Sequence, residues 1–252
     1  MAEQSRSVKS IETTFRIVDA LIEHDGARIT ELSDELDLAK STVHQQLATL
    51  CSLGYAVKED GEYHVGLKFF SIGEHARNRK ESAQLAKPMV EQLAAETEER
   101  VQFFVEEHGH AIYLYVQEGE HGVKVGRHPG KIRHLHSSAG GKAILAQMPR
   151  ERVLEVIDRW GLPAETEHTI TDEAELFEEL ERIRERGYST NKEESIEGLW
   201  ALGVPVIAND EVVGAFSVSG PRHRLNTERF RTELPDVLLG AANELELKLE
   251  YL

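Results

Sequence analysis

The chain has 252 residues, 40% hydrophobic and 29% charged, with a single cysteine and a formal charge of −16 at pH 7. It can hold one large domain or two ordinary ones. It shows no apolar run near the ~20 residues of a membrane span, no apolar signal core in its opening MAEQSRSVKS and, with Cys51 alone, no intramolecular disulfide or Cys-rich metal site, so a reducing, cytoplasmic setting is expected.

Val8 to Glu23 carries Ile11, Phe15, Val18, Leu21 and Ile22 at helical spacing and ends at Asp25-Gly26, where glycine can take a positive φ. Two short helices follow, joined by a tight turn at Leu38-Ala39-Lys40. The first buries Ile29, Leu32 and Leu36. The second presents Val43, Leu47, Leu50 and Leu53 in steps of four, three and three, which is one apolar stripe. Ser41 is the better N-cap of that helix, because its hydroxyl can accept an orphan backbone N–H. Away from the stripe lie Thr42, His44, Gln45, Gln46, Thr49 and Ser52, polar groups of the kind that read base edges in a major groove. Alone, this pair is equally an ordinary helical hairpin. Residues 54–65 decide the matter: they alternate as two short strands about Glu59-Asp60-Gly61, a strong hairpin-turn signal. Three helices and a terminal hairpin make a winged helix-turn-helix over residues 1–65.

Residues 66–81 read as a linker helix, with Leu67, Phe70 and Ile72 inward and Arg77, Arg79 and Lys80 near its end, where cations suit the helix dipole. Residues 82–252 read as an α+β domain of about 170 residues, an ordinary size. Its opening helix carries Leu85, Met89, Val90 and Leu93. Strands are expected at Val101–Glu106, at His110–Gln117 with Ile112, Leu114 and Val116 alternating against Tyr113 and Tyr115, at Val123–Val125 and at Lys131–His136. The small-residue loop Ser137–Lys142 opens a helix over Lys142–Gln147. Helices over Glu151–Trp160 and Asp172–Arg186 follow, the latter capped by Thr171 and stopped by Gly187. Tyr188–Asn191, Leu199–Ile207 and Val212–Ser219 complete the strands, and Asn226–Leu252 closes the chain as a helix that includes Phe230.

The acidity is uneven. Residues 1–80 hold 10 Lys and Arg against 13 Asp and Glu, whereas residues 81–252 hold 19 against 32. The excess acid therefore lies away from the helix pair and is strewn along helix faces, as on a well-solvated surface. It suits a cytoplasm of high ionic strength, where repulsion is screened within a few ångströms.

Three stretches carry a family likeness: Leu38-Ala39-Lys40-Ser41-Thr42-Val43-His44 with Leu47, Thr49-Leu50 and Gly54-Tyr55; His136-Ser137-Ser138-Ala139-Gly140-Gly141-Lys142-Ala143-Ile144-Leu145-Ala146; and Glu193-Glu194, Gly198, Pro205-Val206 with Ala215–Pro221. In this order and at this length they resemble the IclR-type transcription regulators along nearly the whole chain. The resemblance implies a winged helix on double-stranded DNA, a GAF-like domain that binds a small effector, a homodimer or dimer of dimers, an activator or repressor role, and no cofactor. The expected DNA contacts are Arg28, Lys40, Ser41, Thr42, His44, Gln45, Gln46, Thr49 and Lys58, with Arg6 and Lys9 adding phosphate contacts. The effector is expected against Ser138, Ala139, Gly140 and Gly141, with further contacts at Asn191 and Ala201. A helix start aims N–H groups and a positive dipole end at an anion, and small residues let it come close. The chain departs from the pattern at Gln45, where relatives carry an arginine, at Asn191, where they carry an acid, and at Ala201, where they carry a cysteine. The pair Leu202-Gly203 also departs.

Other functions are weighed against this one. His134 and His136 share a strand face, with His108, His110, His121 and His128 near in sequence, but zinc needs three or four converging ligands, so surface or pocket-rim histidines are preferred. Arg127, Lys131, Arg133 and Lys142 form a locally basic patch, read either as a cationic rim for an anion or as partners of the glutamates. Gly140-Gly141-Lys142 lacks the rest of a phosphate loop, and Ser217-Val218-Ser219-Gly220 is not a nucleophile elbow, so no enzyme declares itself. A ligand-free interaction module leaves the small-residue loop unexplained.

Overall fold

The computed structural model describes residues 8–123, 126, 128–228 and 232–251. The chain divides into two compact units, Met1–Ala76 and Arg77–Leu252. The expectations for Arg6, Arg127 and Phe230, and most of the strand at Val123–Val125, fall outside the described residues.

The first unit runs α1 (Lys9–Glu23), α2 (Ile29–Leu36), α3 (Lys40–Ser52), β1 (Ala56–Glu59), β2 (Glu62–Val65) and the start of α4 (Lys68–Asn78). Ile17 and Leu21 of α1 meet Leu32 of α2, Val43 and Leu47 of α3 and Tyr63 of β2 in one buried cluster. The antiparallel hairpin β1–β2 turns at Asp60 (φ 49°) and Gly61 (φ 91°), two consecutive left-handed residues, as a tight two-residue turn requires. A backbone bridge from Ala27 to Tyr63 fixes the hairpin to the start of α2.

Three local expectations are corrected. Ser41 does not cap α3: the N-cap is Ala39, two residues earlier, with no side-chain bond there, and the helix starts at Lys40. Leu53 follows the last turn and is 54% exposed, so the apolar stripe ends at Leu50. Leu67, just before α4, and Phe70 and Ile72 on it are 88%, 69% and 46% exposed rather than inward. The residue that packs is Phe69, whose ring lies 5.0 Å from that of Tyr55 beside Val18, Leu50 and Ala56. One residue is about 100° of helix rotation, so burying Phe69 turns its neighbours outward.

The second unit contains α5 (Glu81–Thr97), β3 (Arg100–Glu107), β4 (His110–Glu118), β5 (Ile132–His134), α6 (Ala139–Ala146), α7 (Arg150–Trp160), α8 (Glu173–Arg186), β6 (Ser189–Lys192), β7 (Leu199–Ala208), β8 (Glu211–Pro221), the short α9 (Arg222–Leu225) and α10 (Glu233–Glu250). Among the described residues its six strands form one antiparallel sheet in the order β5-β4-β3-β8-β7-β6. One face places Val101, Phe103, Leu202, Val204, Phe216 and Val218 against apolar residues of α5 and α10, such as Val90, Leu93, Leu238 and Leu245. The other carries Phe104, Tyr113 and Ala215 against Ile144 of α6 and Leu176 and Leu180 of α8. With both faces covered, the strands are apolar on both sides, which makes simple alternation a poor guide.

The alternation expected in β4 fails for a specific reason. The β3–β4 register shifts between Phe103 and Phe104, which pair with Tyr115 and Tyr113. This bulge sends Tyr113 to the α6–α8 side, while Leu114 and Tyr115 join the α5–α10 side. Helix starts are corrected as well. Helix α6 begins at Ala139 rather than Lys142, α8 is capped by Asp172 rather than Thr171, accepting from Glu175 N–H at 3.0 Å, and α10 begins at Glu233 rather than Asn226. Among the described residues no helix is long and apolar enough to cross a membrane.

Candidate nucleic-acid interface and effector site

Burying Val43, Leu47 and Leu50 leaves Lys40, Ser41, His44, Gln45 and Thr49 exposed on α3 and Thr42 half-buried. Gln46 stands apart. It is half-buried, and its Oε1 accepts the Thr14 hydroxyl at 2.5 Å, which turns it to α1 and out of the exposed row. Thr49 donates its hydroxyl to the Gln45 carbonyl at 2.9 Å, so toward a base it can only accept. Gln45, His44 and Thr42 keep the groups able to read an edge.

The cations nearby are engaged loosely. Arg28 lies 3.3 Å from Glu62 of the hairpin, while its backbone N–H donates to Glu31 at 2.6 Å to close the start of α2. Lys58 sits 5.2 Å over the Tyr63 ring. Exposed pairs of this kind are worth little, about 0–1 kcal/mol, so either cation can swing to a phosphate. Residues 27–65 nonetheless hold seven Asp and Glu against three Lys and Arg, and Glu59, Asp60 and Glu62 crowd the hairpin tip.

In the second unit, strand pairing puts the predicted effector residues into one neighbourhood. Antiparallel partners share a sheet face. One row therefore runs Arg100, Ser219, Ala201, Asn191 across β3, β8, β7 and β6, and the next runs Gln102, Ser217, Gly203, Ser189. Against this face stands the start of α6. A Cβ on Gly203 would lie 2.6 Å from the Ala139 carbonyl carbon, and the Ser189 hydroxyl donates to Ala139 O at 2.5 Å. Gly140 and Gly141 have no space for side chains either: added Cβ atoms would run into the Phe104 ring and the Leu135 carbonyl.

The residues expected to be a loop are thus the first turn of a helix. Ser138 is its N-cap and accepts from Gly141 N–H at 3.2 Å. Among the described residues, the N–H groups of Ala139 and Gly140 have no hydrogen-bond partner. Asn191 is committed at both ends: its Nδ2 donates to Ser137 O at 2.7 Å and its Oδ1 accepts from Glu194 N–H at 3.1 Å. An aspartate there could not make the first of these bonds. Ala201 is half-buried in the same row.

Beside this neighbourhood lies a buried charge cluster. Lys142, 1% exposed, meets Glu194 at 2.5 Å, and Arg133 meets Glu165, which also accepts the Ser137 hydroxyl at 2.5 Å. Two members of the expected cationic rim are therefore partners of glutamates. His136, expected at a surface or rim, is 3% exposed, with Nε2 3.1 Å from Pro163 O. Burial pushes it below the usual histidine range, with His134 and Lys142 adding to that and Glu165 opposing it. His110 is lowered too, by burial first and then by His134. Among the described residues no three His, Cys, Asp or Glu side chains gather as metal ligands.

Sequence reasoning missed Arg100, Gln102, Ser217 and Ser219. A signal was present: polar residues at alternate positions of otherwise apolar strands. Joining them needs the β3–β8 pairing, across 117 residues of chain, where Gln102 Nε2 donates to Ser219 Oγ at 2.7 Å.

Comparison with known proteins gives a consistent result. The family model of the bacterial transcriptional regulator IclR C-terminal domain matches residues 74–247, and that of the IclR helix-turn-helix domain matches residues 10–60. The chain is 35% identical, over 98% of its length and 96% of the relative's, to a probable HTH-type transcriptional regulator ArcR of Halobacterium salinarum. The crystal structure of the Thermotoga maritima IclR superposes with a TM-score of 0.79 at 28% identity, covering 96% of this chain and 98% of that one. The inducer-binding domain of an Acinetobacter PobR transcription factor, solved as a double mutant with 3-hydroxybenzoic acid, superposes at a TM-score of 0.59 and 25% identity, covering 65% of this chain and 96% of that one.

Proposed function

The chain belongs to the IclR family, whose members are transcription regulators rather than enzymes, and from that premise we propose that it governs catabolic genes, for carbohydrate or organic-acid degradation, in response to a small anionic metabolite. Residues 1–65 would bind an operator, residues 66–81 would act as the linker, and residues 82–252 would hold the effector. The protein would act as activator or repressor in the cytoplasm.

The observation that carries the DNA reading is the row of exposed His44 and Gln45 with half-buried Thr42, on a helix pinned by Val43, Leu47 and Leu50 and flanked by a hairpin. A helix held by its apolar face and offering amide, hydroxyl and imidazole groups fits a major groove. The effector reading rests on the N–H groups at the start of α6, which face the polar rows of the sheet and suit a carboxylate.

A homodimer or dimer of dimers fits the first unit. Val8 at the N-cap of α1 and Ile11, Phe15 and Ile22 along it lie in one stripe, each 54% or more exposed, and Leu67 just before α4 and Phe70 on it are exposed as well. A second copy would cover them, and paired reading heads would then meet two half-sites. An effector would act by preferring one spacing of the pair over another, which requires different affinities for the two arrangements.

Genome-wide occupancy of the protein, with and without candidate carbon sources, tests the whole reading. Reproducible sequence-specific sites whose occupancy changes with one carbon source are expected. Absence of such sites under every condition would end it.

A further inference from the structure

Three consecutive residues of α1 face three different things. Phe15 is exposed, in the stripe that a second copy would cover. Thr14, before it, is half-buried, and its hydroxyl lies 2.5 Å from Gln46 Oε1 on α3 and 2.8 Å from the Ser10 carbonyl on its own helix. Arg16, after it, donates from its guanidinium to the Leu36 carbonyl at 3.1 Å, at the end of α2 where the chain turns toward α3. Successive helix residues are about 100° apart, so Thr14 and Arg16 look to either side of Phe15. The rest of the join is apolar, with Ile17 and Leu21 of α1 against Leu32, Val43 and Leu47. Apolar contact has no direction of its own. A hydrogen bond does, and it weakens steeply off axis. A single polar pair can fix the register of helices whose other contacts are apolar. The Arg16 bond is also charge-assisted, and it falls on one of the carbonyls that a helix end leaves without a helical partner. The core therefore sets how close α3 comes to α1, and the two polar ties set its angle.

We propose that Thr14 and Arg16 are positioning residues for DNA recognition: they fix the angle between the exposed stripe of α1 and the reading row of α3, and with it the spacing of the two half-sites that a pair of copies accepts. Both act through α3 rather than on a base. One extra base pair between half-sites moves the second by ~3.4 Å along the duplex and turns it by ~35°. Two reading heads held at a fixed angle cannot follow that change, and one of them loses its base contacts. With the ties cut, α3 turns on its apolar seat and several spacings become acceptable. This inference rests on the DNA and dimer readings above.

The test uses the full-length chain. Its half-site is selected from random duplex DNA, and probes are then made with one half-site, with two at the preferred spacing, and with two at one base pair more or fewer. Wild type, Thr14→Val, Thr14→Ser, Arg16→Met and the double variant Thr14→Val with Arg16→Met are compared by competition binding and by melting. In wild type the preferred spacing is expected to bind at least ~10-fold more tightly than its neighbours, the scale of losing one or two base contacts. In the double variant that ratio falls to about 3-fold or less, while affinity for the single half-site stays within about twofold of wild type. Each of Thr14→Val and Arg16→Met lies between, and Thr14→Ser, which keeps the hydroxyl, stays with wild type. A merely structural role lowers the melting temperature and weakens every probe alike, with the spacing ratio unchanged, and that result overturns the proposal. So does a wild type indifferent to spacing. If the double variant does not fold, the ratios in Thr14→Val and Arg16→Met decide in the same way. The readings beneath the proposal fail differently: no half-site emerges from selection, or two half-sites bind no more tightly than one at any spacing, and the proposal falls with them.

Discussion

The ammonium of Lys142 and the carboxylate of Glu194 meet at 2.5 Å, the lysine side chain 1% exposed and the glutamate's 10%. The pair ties α6 to the turn after β6. Glu194 is further anchored through its backbone, since its carbonyl accepts the Thr169 hydroxyl at 2.6 Å and its N–H donates to Asn191. Removing one member leaves the other charged in a dry setting, which costs about 3–5 kcal/mol. Lys142→Met is therefore expected to lower the denaturation midpoint of the second unit sharply. The double change Lys142→Met with Glu194→Leu should recover much of that loss, and a double variant as unstable as the single one would show that the pair is not the cause.

His136 gives the second unit a predictable acid limit. Its pKa is lowered from 6.5, chiefly by burial, so the unfolded chain protonates before the folded one does. Between the two values the unfolded state binds more protons, and stability falls as pH drops below 6.5 toward the folded value. Above 6.5 both states are neutral there and the effect vanishes. His110 shifts the same way. Denaturation followed from pH 8 to pH 5 should show this loss, and His136→Gln should flatten part of the slope.

Base reading is expected to fall on few residues. Thr42→Ala with Gln45→Ala should abolish sequence discrimination while the fold stays intact, because neither side chain enters the cluster around Val43 and Leu47. Gln46→Ala should act otherwise: it loses the bond from Thr14, and a modest stability change of about 1 kcal/mol is expected with discrimination retained. Competition binding against operator and scrambled DNA, beside melting curves, separates the two.

Oligomer state should respond to the α1 stripe. Phe15→Glu puts a charge on a residue 54% exposed, so the isolated fold tolerates it. Sedimentation should show a smaller particle, and operator affinity should fall because one half-site is lost. Unchanged sedimentation would move the contact between copies elsewhere.

Legibility follows the sequence range of each interaction. The three helices, the Asp60-Gly61 turn and the order of strands are readable because each rests on periodicity or turn chemistry within a few residues. The start of α6 is hard to place because glycine is a poor helix former. Gly140 and Gly141 look like a loop, yet they are helical, packed closely against Phe104 and Leu135 of other segments. The β4 bulge at Leu114 and the polar rows of Arg100 and Gln102 depend on partners far along the chain. The inward placement expected on α4 fails through a one-residue offset, which the run Leu67, Phe69, Phe70, Ile72 leaves open.

The crowding of carboxylates at the hairpin tip bears on time as well as on affinity. Proteins that meet DNA with a basic face are drawn in at long range and can slide along it in a cloud of loosened counterions. With seven acids against three bases over residues 27–65, this segment is pushed away until salt shortens the reach of its charge. Encounters then begin at touching distance, and one-dimensional sliding gives way to repeated collisions from solution. Such a regulator would search faster as salt rises, the reverse of the ordinary order, and single-molecule tracking on stretched DNA would record short dwell times with little lateral travel. Exchanging Glu59 and Asp60 for lysine should restore sliding and steepen the salt dependence of binding by about one unit of log–log slope for each phosphate newly neutralised.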